Sequence, residues 1–213
     1  YNLRNEGNRI ILGASVKQIP IYKEHFPDLE IIPISSASPI LGRGKNQIFR
    51  ILQFLPRFFI GIISDRFYAR QIANRFSIEK IVSDNRYGLR SKKTYNIIIT
   101  HQVNIQLPKS VMFIQPLVQN IIHRFIRKFD ECYIPDFAPP DNIAGLLSNS
   151  TVRLSGKIKY IGMLSRLQVV EPTSIINNFP EILFIISGPE HQRTIFEQRV
   201  VNEIEKLKNI PSY

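Results

Sequence analysis

The sequence predicts an α/β fold in which helices flank a mostly parallel, Rossmann-like sheet. Runs rich in β-branched residues alternate with helical patterns along the chain, which is typical of βαβ units. Several of these runs stop abruptly in polar clusters, as strands do at the ligand-binding edge of an open parallel sheet. The 213 residues are 44% hydrophobic and 21% charged, so the chain can bury one good core or two small ones.

Seven segments carry the strand pattern. In chain order they are "NRIILGAS", "LEIIPIS", "KIVSD", "NIIITH", "ECYIPDF", "KIKYIG" and "EILFIISG". The residues before the first run look like the tail of a helix that is closed by Gly7. We therefore expect the first strand and helix of the domain to precede Tyr1.

Helical patterns lie between several of these runs. "SVKQIPIYKEHFP" predicts a short helix, with Pro20 near its start and Pro27 after its end. Residues 45–76 predict two helical stretches split near Pro56. "IQPLVQNIIHRFIRKF" predicts the clearest helix, because its apolar residues recur at three- and four-residue steps. These apolar positions are Ile114, Leu117, Val118, Ile121, Ile122, Phe125 and Phe129.

The later part of the chain is less regular. Residues 136–156, "DFAPPDNIAGLLSNSTVRLSG", have no steady period and predict a surface excursion or linker. The final "EILFIISGPEHQRTIFEQRVVNEIEKLKN" predicts one strand, a Gly-Pro turn and one helix. Either the chain stops early in a second domain, or this unit completes the preceding sheet.

The formal net charge is +11, which favours an anionic partner: phospholipid headgroups, sugar-nucleotide phosphates or nucleic acid. The lone Cys132 cannot form an internal disulfide, and no Cys/His spacing resembles a zinc site. A reducing, cytoplasmic setting is therefore expected. Every apolar run is broken well before the roughly 18–20 residues that a membrane-spanning helix needs.

Three polar clusters occupy predicted strand ends, and the first is "SDNRYG". Asp84 suits a base or a carboxylate that orients a hydroxyl, Arg86 suits an anion, and Gly88 permits a tight backbone approach. Because Asp, Asn and Gly also favour turns, a plain turn explains this cluster better when it is taken alone.

The second cluster is "THQVN". His101 is the best-placed titratable group for acid–base chemistry, or for donating to a phosphate or sugar oxygen. Gln102 and Asn104 suit the recognition of hydroxyl groups. The alternative for His101 is a structural histidine, and we assign His25 and His123 to solvated helix faces.

The third cluster, "SGPEHQR", joins a strand to a helix. Ser187 and Gly188 would lead into free N–H groups and a positive helix dipole, with Arg193 one turn into the helix as a phosphate clamp. The alternative is an ordinary turn with Ser187 as the helix cap. The cluster is neither a Walker loop nor a GxGxxG fingerprint.

With these clusters in order, the chain resembles GT-B glycosyltransferases of the family 28-like kind, in particular bacterial relatives of the peptidoglycan N-acetylglucosaminyl transferase. "THQVN" resembles a shortened form of that enzyme's His-Glu-Gln-Asn stretch and matches it at His101 and Asn104. The resemblance is closer to uncharacterised glycosyltransferase-like bacterial proteins, which share "SDNRYG", "THQ", a "YIG-LSR" crossover and "SGPE-QR".

The resemblance implies two Rossmann-like domains, one for the acceptor and one for the nucleotide sugar. Residues 1–160 would be the acceptor domain without its first strand and helix, residues 161–180 the crossover, and residues 181–213 the start of the donor domain. The family's Gly-rich first loop would lie before Tyr1, and most of the donor signature beyond Tyr213. The chain would then be incomplete at both ends.

The resemblance further implies a metal-independent hexosyl- or N-acetylhexosaminyl-transferase of cell-envelope polysaccharide synthesis. It would move a sugar from a nucleotide-sugar co-substrate to a saccharide or lipid-linked hydroxyl acceptor, without a cofactor. His101 or Asp84 would act as the base unless an upstream His does so. Acceptor-binding residues would be Asn85, Arg86, Tyr87, Gln102 and Asn104. Donor-binding residues would be Ser187, Gly188, Glu190, Gln192 and Arg193.

Other functions are compatible with parts of the sequence. "IFRILQFLPRFFIGIISDRFYAR" interleaves apolar residues with arginines, which suits peripheral contact with an anionic membrane at the inner face of the cell membrane. Apolar stripes at helical spacing are nevertheless usually core. The arginines are Arg50, Arg57, Arg66 and Arg70. Their charge and the nearby Tyr and Phe residues also suit a non-catalytic nucleic-acid or anionic-polymer binding module.

No nucleic-acid motif accompanies that pattern, so we expect no nucleic-acid partner. A nucleotide-sugar epimerase or hydrolase on the same fold is a further alternative, because a fold does not fix a reaction.

Overall fold

The protein is α/β, and all its strand pairs are parallel in the part of the chain that the structure describes. The structure, a computed structural model, describes residues 6–34, 47–107, 109–149, 154, 156–164, 184–186 and 192–208. The chain divides into two units, Tyr1–Ser165 and Arg166–Tyr213. The finer division into acceptor domain, crossover and donor domain stays a prediction.

The first unit contains two groups of strands. They are β1 (Ile11–Ala14), β2 (Glu30–Pro33), β3 (Lys80–Asp84), β4 (Tyr95–Ile99), β5 (Glu131–Ile134) and β6 (Ile158–Tyr160). β1 pairs with β2, while the other four form one sheet in the order β3-β4-β5-β6. Six of the seven predicted strands are thereby confirmed.

The seventh predicted strand, "EILFIISG", is not seen in the residues that the structure describes. Of this run, residues 184–186 are described, and they form no strand. The other residues of the run lie outside the described part of the chain, so this strand stays a prediction.

The helices are α1 (Ile19–His25), α2 (Gln47–Arg75), α3 (Gln115–Ile126) and, in the second unit, α4 (Gln192–Lys208). The predictions of α1 and α3 are confirmed. The predicted split near Pro56 is wrong, because α2 runs through this proline as one helix. A proline costs an interior helix about 3 kcal/mol. Tertiary packing offsets this, since Phe58 and Ile62 pack against the core directly after it.

The core lies on one face of the four-stranded sheet, under α3 and part of α2. Ile98, Cys132 and Ile134 contribute from the sheet, and Ile126 and Phe129 contribute from α3 and its end. All five are almost fully buried. Burial raises the pKa of the Cys132 thiol to about 12, so this cysteine packs as an apolar side chain.

The predicted apolar stripe of α3 differs from the buried face of the helix at two positions. Leu117 was expected in the core, but it is 62% exposed. Ile126 was not predicted and is fully buried. Ile126 follows Ile122 by four residues and therefore lies on the same buried face of the helix.

The opposite face of the sheet is partly open. Val82 and Tyr95 project from this face and are about half exposed, and Lys80 Nζ lies 5.9 Å from the Tyr95 ring centroid. Parallel sheets are usually covered on both faces. Solvent therefore reaches β3 and the start of β4 from this side.

No helix of the described chain is both long and apolar enough to cross a membrane.

Residues 136–156 are more than the predicted surface excursion. Three residues of this segment, Asp136, Ser148 and Leu154, are buried and anchor it to the rest of the unit. A short 3₁₀-helix, Gly145–Leu147, directly precedes Ser148. The prediction failed because two of the three anchors are polar. Their burial depends on hydrogen bonds that hydrophobic periodicity does not report.

Candidate functional site

The carboxyl ends of the four parallel strands meet along one edge of the sheet. Asp84 at the end of β3 is opposite Ile99 at the end of β4. Ile99 is in turn opposite Tyr133 of β5, and the following β5 residue pairs with Tyr160 of β6. The residues that follow β3 and β4 are therefore neighbours in space, as the sequence predicted for "SDNRYG" and "THQVN".

These two clusters are joined through the Thr100 hydroxyl. Asn85 N–H donates to the Ile99 carbonyl at 2.9 Å and so extends the β3–β4 ladder by one residue. Thr100 Oγ1 donates to Asn85 Oδ1 at 3.0 Å and accepts from Gln102 N–H at 3.1 Å. Because Thr100 is only 2% exposed, this hydroxyl fixes the two loops relative to each other.

Asp84 and His101, the two predicted catalytic residues, both lie at this edge and are exposed. Within the described residues, neither the Asp84 carboxylate nor the His101 imidazole has a hydrogen-bond partner. Asn85 is also exposed, and it has a φ of 51°, a left-handed conformation that asparagine tolerates better than most residues. These three side chains are accessible to a ligand.

The Arg86 guanidinium forms an ion pair with Asp65 of α2. Its Nε donates to Asp65 Oδ2 of α2 at 3.1 Å, and its Nη2 donates to the other carboxylate oxygen. Such a two-point pair with a buried carboxylate holds the guanidinium against the helix. The structure therefore gives Arg86 an ion pair with α2, and its acceptor-binding role stays a prediction.

Tyr87 lies in the core rather than at the edge. Its ring centroid is 6.1 Å from that of Phe58 and 6.2 Å from that of Phe125, so it joins α2 to α3. Burial raises the pKa of Tyr87 to about 12. A side chain in this position is not available to an acceptor, so the predicted binding role is wrong.

Gly88 makes the tight backbone approach that the sequence predicted, but the partner is α2. A Cβ atom at this position would lie 2.5 Å from Asp65 Cβ and 2.8 Å from Ile62 Cα. Only glycine fits there. The second half of "SDNRYG" therefore seats the loop on α2, and the first half faces the edge.

Backbone hydrogen bonds to Leu147 hold the loop that follows β4. Val103 N–H and Asn104 N–H both donate to the Leu147 carbonyl, at 3.1 and 3.0 Å. Gln102 and Asn104, both predicted to bind the acceptor, are half-buried. Neither residue belongs to the buried core.

His123 supports the same loop, which the sequence did not indicate. It is 1% exposed, so its assignment to a solvated helix face is wrong. His123 Nε2 lies 3.0 Å from the Val103 carbonyl oxygen, and Gln119, one turn earlier on α3, donates to the same oxygen. The available signal was its position between the core residues Ile122 and Ile126. His25 is exposed, as predicted.

Asp136 organises the loop that follows β5 at this edge. Its carboxylate accepts hydrogen bonds from the backbone N–H groups of Phe137 and Ile143 at 2.8 Å and of Ala144 at 3.0 Å. Burial raises the pKa of Asp136, but hydrogen bonds from Ser148 and from these three N–H groups more than offset it and hold the value at about 2.

Acid is expected to destabilise the protein through Asp136. Because its folded pKa of about 2 is below the unfolded value of about 3.9, its contribution is complete above pH ~5 and is lost as the pH falls through 2. Urea unfolding at a series of pH values should give a shallower acid slope for Asp136→Asn than for the wild type. The exposed Asp141→Asn is the control, and equal slopes for all three proteins would contradict this role.

The predicted donor residues fall only partly within the described chain. Ser187, Gly188 and Glu190 lie outside the described residues. Gln192 is the first residue of α4, and Arg193 is the second and is exposed. Arg193 is therefore in the first turn of the helix rather than one turn into it.

Among the residues that the structure describes, no group of three or more His, Cys, Asp and Glu side chains could hold a metal ion. Comparisons of this chain with protein-family models, with curated proteins and with solved structures find no match.

Proposed function

We propose that this chain belongs to a GT-B glycosyltransferase that transfers a sugar from a nucleotide-sugar donor to a hydroxyl acceptor. The observation that carries the proposal is that Thr100 connects two polar clusters, which expose Asp84, Asn85 and His101 at the carboxyl edge of a parallel sheet. This edge is where open α/β sheets bind ligands. The order of "SDNRYG", "THQVN" and "SGPEHQR" along the chain supports the same function by resemblance.

The reaction would be a direct displacement at the anomeric carbon of the donor. The acceptor hydroxyl oxygen forms the new bond to that carbon while the bond from the carbon to the diphosphate oxygen breaks. The hydroxyl proton passes to a base, and the nucleoside diphosphate leaves with the bonding electrons. His101 and Asp84 are the two exposed titratable side chains in the joined clusters that can take this proton.

The donor side of the reaction is assigned to the second unit. A departing diphosphate needs N–H donors and positive charge. The start of α4 supplies a positive helix dipole, and Arg193 adds a cation in its first turn. Ser187, Gly188, Glu190 and Gln192 have this role by resemblance only.

The surroundings of the site favour an acceptor with an apolar part, such as a lipid-linked sugar. Exposed apolar side chains lie on the segments that follow β4 and β5 at the same edge. They are Met112, Phe113, Leu117, Phe137, Ile143 and Leu146. A soluble saccharide acceptor has no need of such a rim.

The described part of α2 is compatible with contact to an anionic bilayer. Ile60, Ile63 and Phe67 form an exposed stripe at helical spacing, and the exposed Arg57 and Arg70 lie beside it. This partner stays a prediction. Co-sedimentation with vesicles, with and without acidic lipid, measures it.

Nucleotide binding tests the proposed function directly. Isothermal titration of the protein with uridine diphosphate and other nucleoside diphosphates should give saturable heat for at least one of them. Arg193→Gln should weaken that binding about tenfold, because it removes a charge-assisted hydrogen bond to phosphate. Arg199→Gln, which removes an exposed arginine from the same helix, is the matched control. Absence of heat with every nucleotide would count against the donor role.

A further inference from the structure

Four basic side chains meet where α2, residues 85–94 and the end of α3 come together. Phe59 of α2 packs against Phe125 of α3, with ring centroids 6.2 Å apart. Lys128 Nζ lies 5.3 Å from the Phe125 ring centroid, and Arg124 directly precedes this phenylalanine. The end of α3 thus presents two cations at its contact with α2.

The other two cations come from α2 and from the loop that crosses to β4. Arg90 follows Gly88, which is packed tightly against Ile62 and Asp65, and Arg66 is the next residue on α2. Arg90 is only 9% exposed. Across the described residues, its buried Nε–H finds no hydrogen-bond acceptor. A buried N–H group without a partner is costly and is rare in folded proteins.

The four charges repel one another. Burial lowers the pKa of Lys128, and the positive charges of Arg90, Arg66 and Arg124 lower it further. Burial also lowers the pKa of Arg90, and Arg66 adds to this effect. Both shifts have the sign expected when cations gather without a neutralising anion.

The two carboxylates nearest to these cations in sequence, Asp65 and Asp130, bind other groups. Asp65 binds Arg86, and Asp130 accepts the Asn96 backbone N–H at 2.7 Å. The helix end does not require the cations either. Lys157 Nζ already donates to the Arg127 and Phe129 carbonyls at the end of α3, at 3.0 and 2.6 Å.

We propose that Arg66, Arg90, Arg124 and Lys128 form a binding site for a phosphate group. A phosphate would accept the Arg90 Nε–H and receive charge-assisted hydrogen bonds from the exposed Arg66, Arg124 and Lys128. The site lies towards the edge of the sheet where β5 begins, because α3 ends there, and is thus separate from Asp84 and His101. It does not depend on the proposed sugar transfer.

The phosphate can belong to a free anion or to a lipid headgroup, and two probes distinguish these sources. The first is inorganic pyrophosphate, titrated into the full chain at low salt, and the second is vesicles of phosphatidylcholine with and without phosphatidylglycerol. Arg66→Gln and Arg124→Gln should each weaken binding about tenfold or more. Both residues are exposed, so these variants keep the fold.

Arg57→Gln is the control in the pyrophosphate titration, since it removes an exposed arginine of α2 outside the cluster. Pyrophosphate binding that depends on Arg66 and Arg124 but not on Arg57 identifies a free anion as ligand. Binding to acidic vesicles alone, with the same dependence on Arg66 and Arg124, identifies a headgroup. Binding to neither probe, or an equal loss of pyrophosphate binding in Arg57→Gln, would overturn the proposal.

Discussion

Gly88→Ala is expected to destabilise the protein by about 2–3 kcal/mol, close to the upper end of what overpacking costs. The added Cβ would lie 2.5 Å from Asp65 Cβ and 2.8 Å from Ile62 Cα, well inside contact distance. Ile62 presents backbone atoms, which cannot rotate away as a flexible side chain does. The loop and α2 must separate, and the Asp65–Arg86 ion pair is stretched with them.

Gly145→Ala is the matched control for this substitution. Gly145 has a φ of +57°, and an added Cβ would meet nothing within 4 Å. Alanine there should cost only the left-handed conformation, about 1 kcal/mol. Urea unfolding followed by circular dichroism measures both changes. Equal losses at the two positions would mean that the loop is not seated on α2 as described.

The strands of the first unit were predictable because their signal is local. "KIVSD" coincides with β3, and the β-branched run at residues 96–100 nearly coincides with β4. A short run of β-branched residues bounded by a polar cluster favours a strand over a helix. Pro56 misled the prediction because local propensity was overridden by packing on the next two turns of α2.

The division of "SDNRYG" into two halves could not be read from the sequence. The exposure of Asp84 and Asn85 follows from their position at the end of β3. Arg86 and Gly88 are explained by Asp65 on α2, which lies more than twenty residues earlier in the chain. The sequence alone does not distinguish the residues of this cluster that face the sheet edge from those that contact α2.

The burial of His123 has the same cause. The carbonyl near its Nε2 belongs to Val103, twenty residues earlier, and nothing in the helix pattern reveals that contact. A histidine among charged neighbours at the end of a helix suggests solvent. The fold instead uses His123 to support the loop that carries His101.

Removing the catalytic base should have the largest effect on activity. We expect either His101→Gln or Asp84→Asn to lower kcat for sugar transfer by about 10²–10⁴-fold, the usual contribution of general base catalysis. Because both side chains are exposed and have no hydrogen-bond partner in the described chain, folding stability should change by less than ~0.5 kcal/mol. Loss of activity without loss of stability distinguishes a catalytic residue from a structural one.

The pH dependence of kcat/KM identifies which of the two residues is the base. Substituting the base should remove the acidic limb of the profile, because that limb reports protonation of the base in the free enzyme. Substituting the other residue should leave the limb in place and raise KM instead, as expected if it positions the acceptor hydroxyl. His25→Gln and Asp141→Asn, exposed residues of the same types outside the joined clusters, should leave both parameters unchanged. Full activity in both His101→Gln and Asp84→Asn would show that the joined clusters do not supply the base, and the reaction would have to take its proton acceptor from elsewhere.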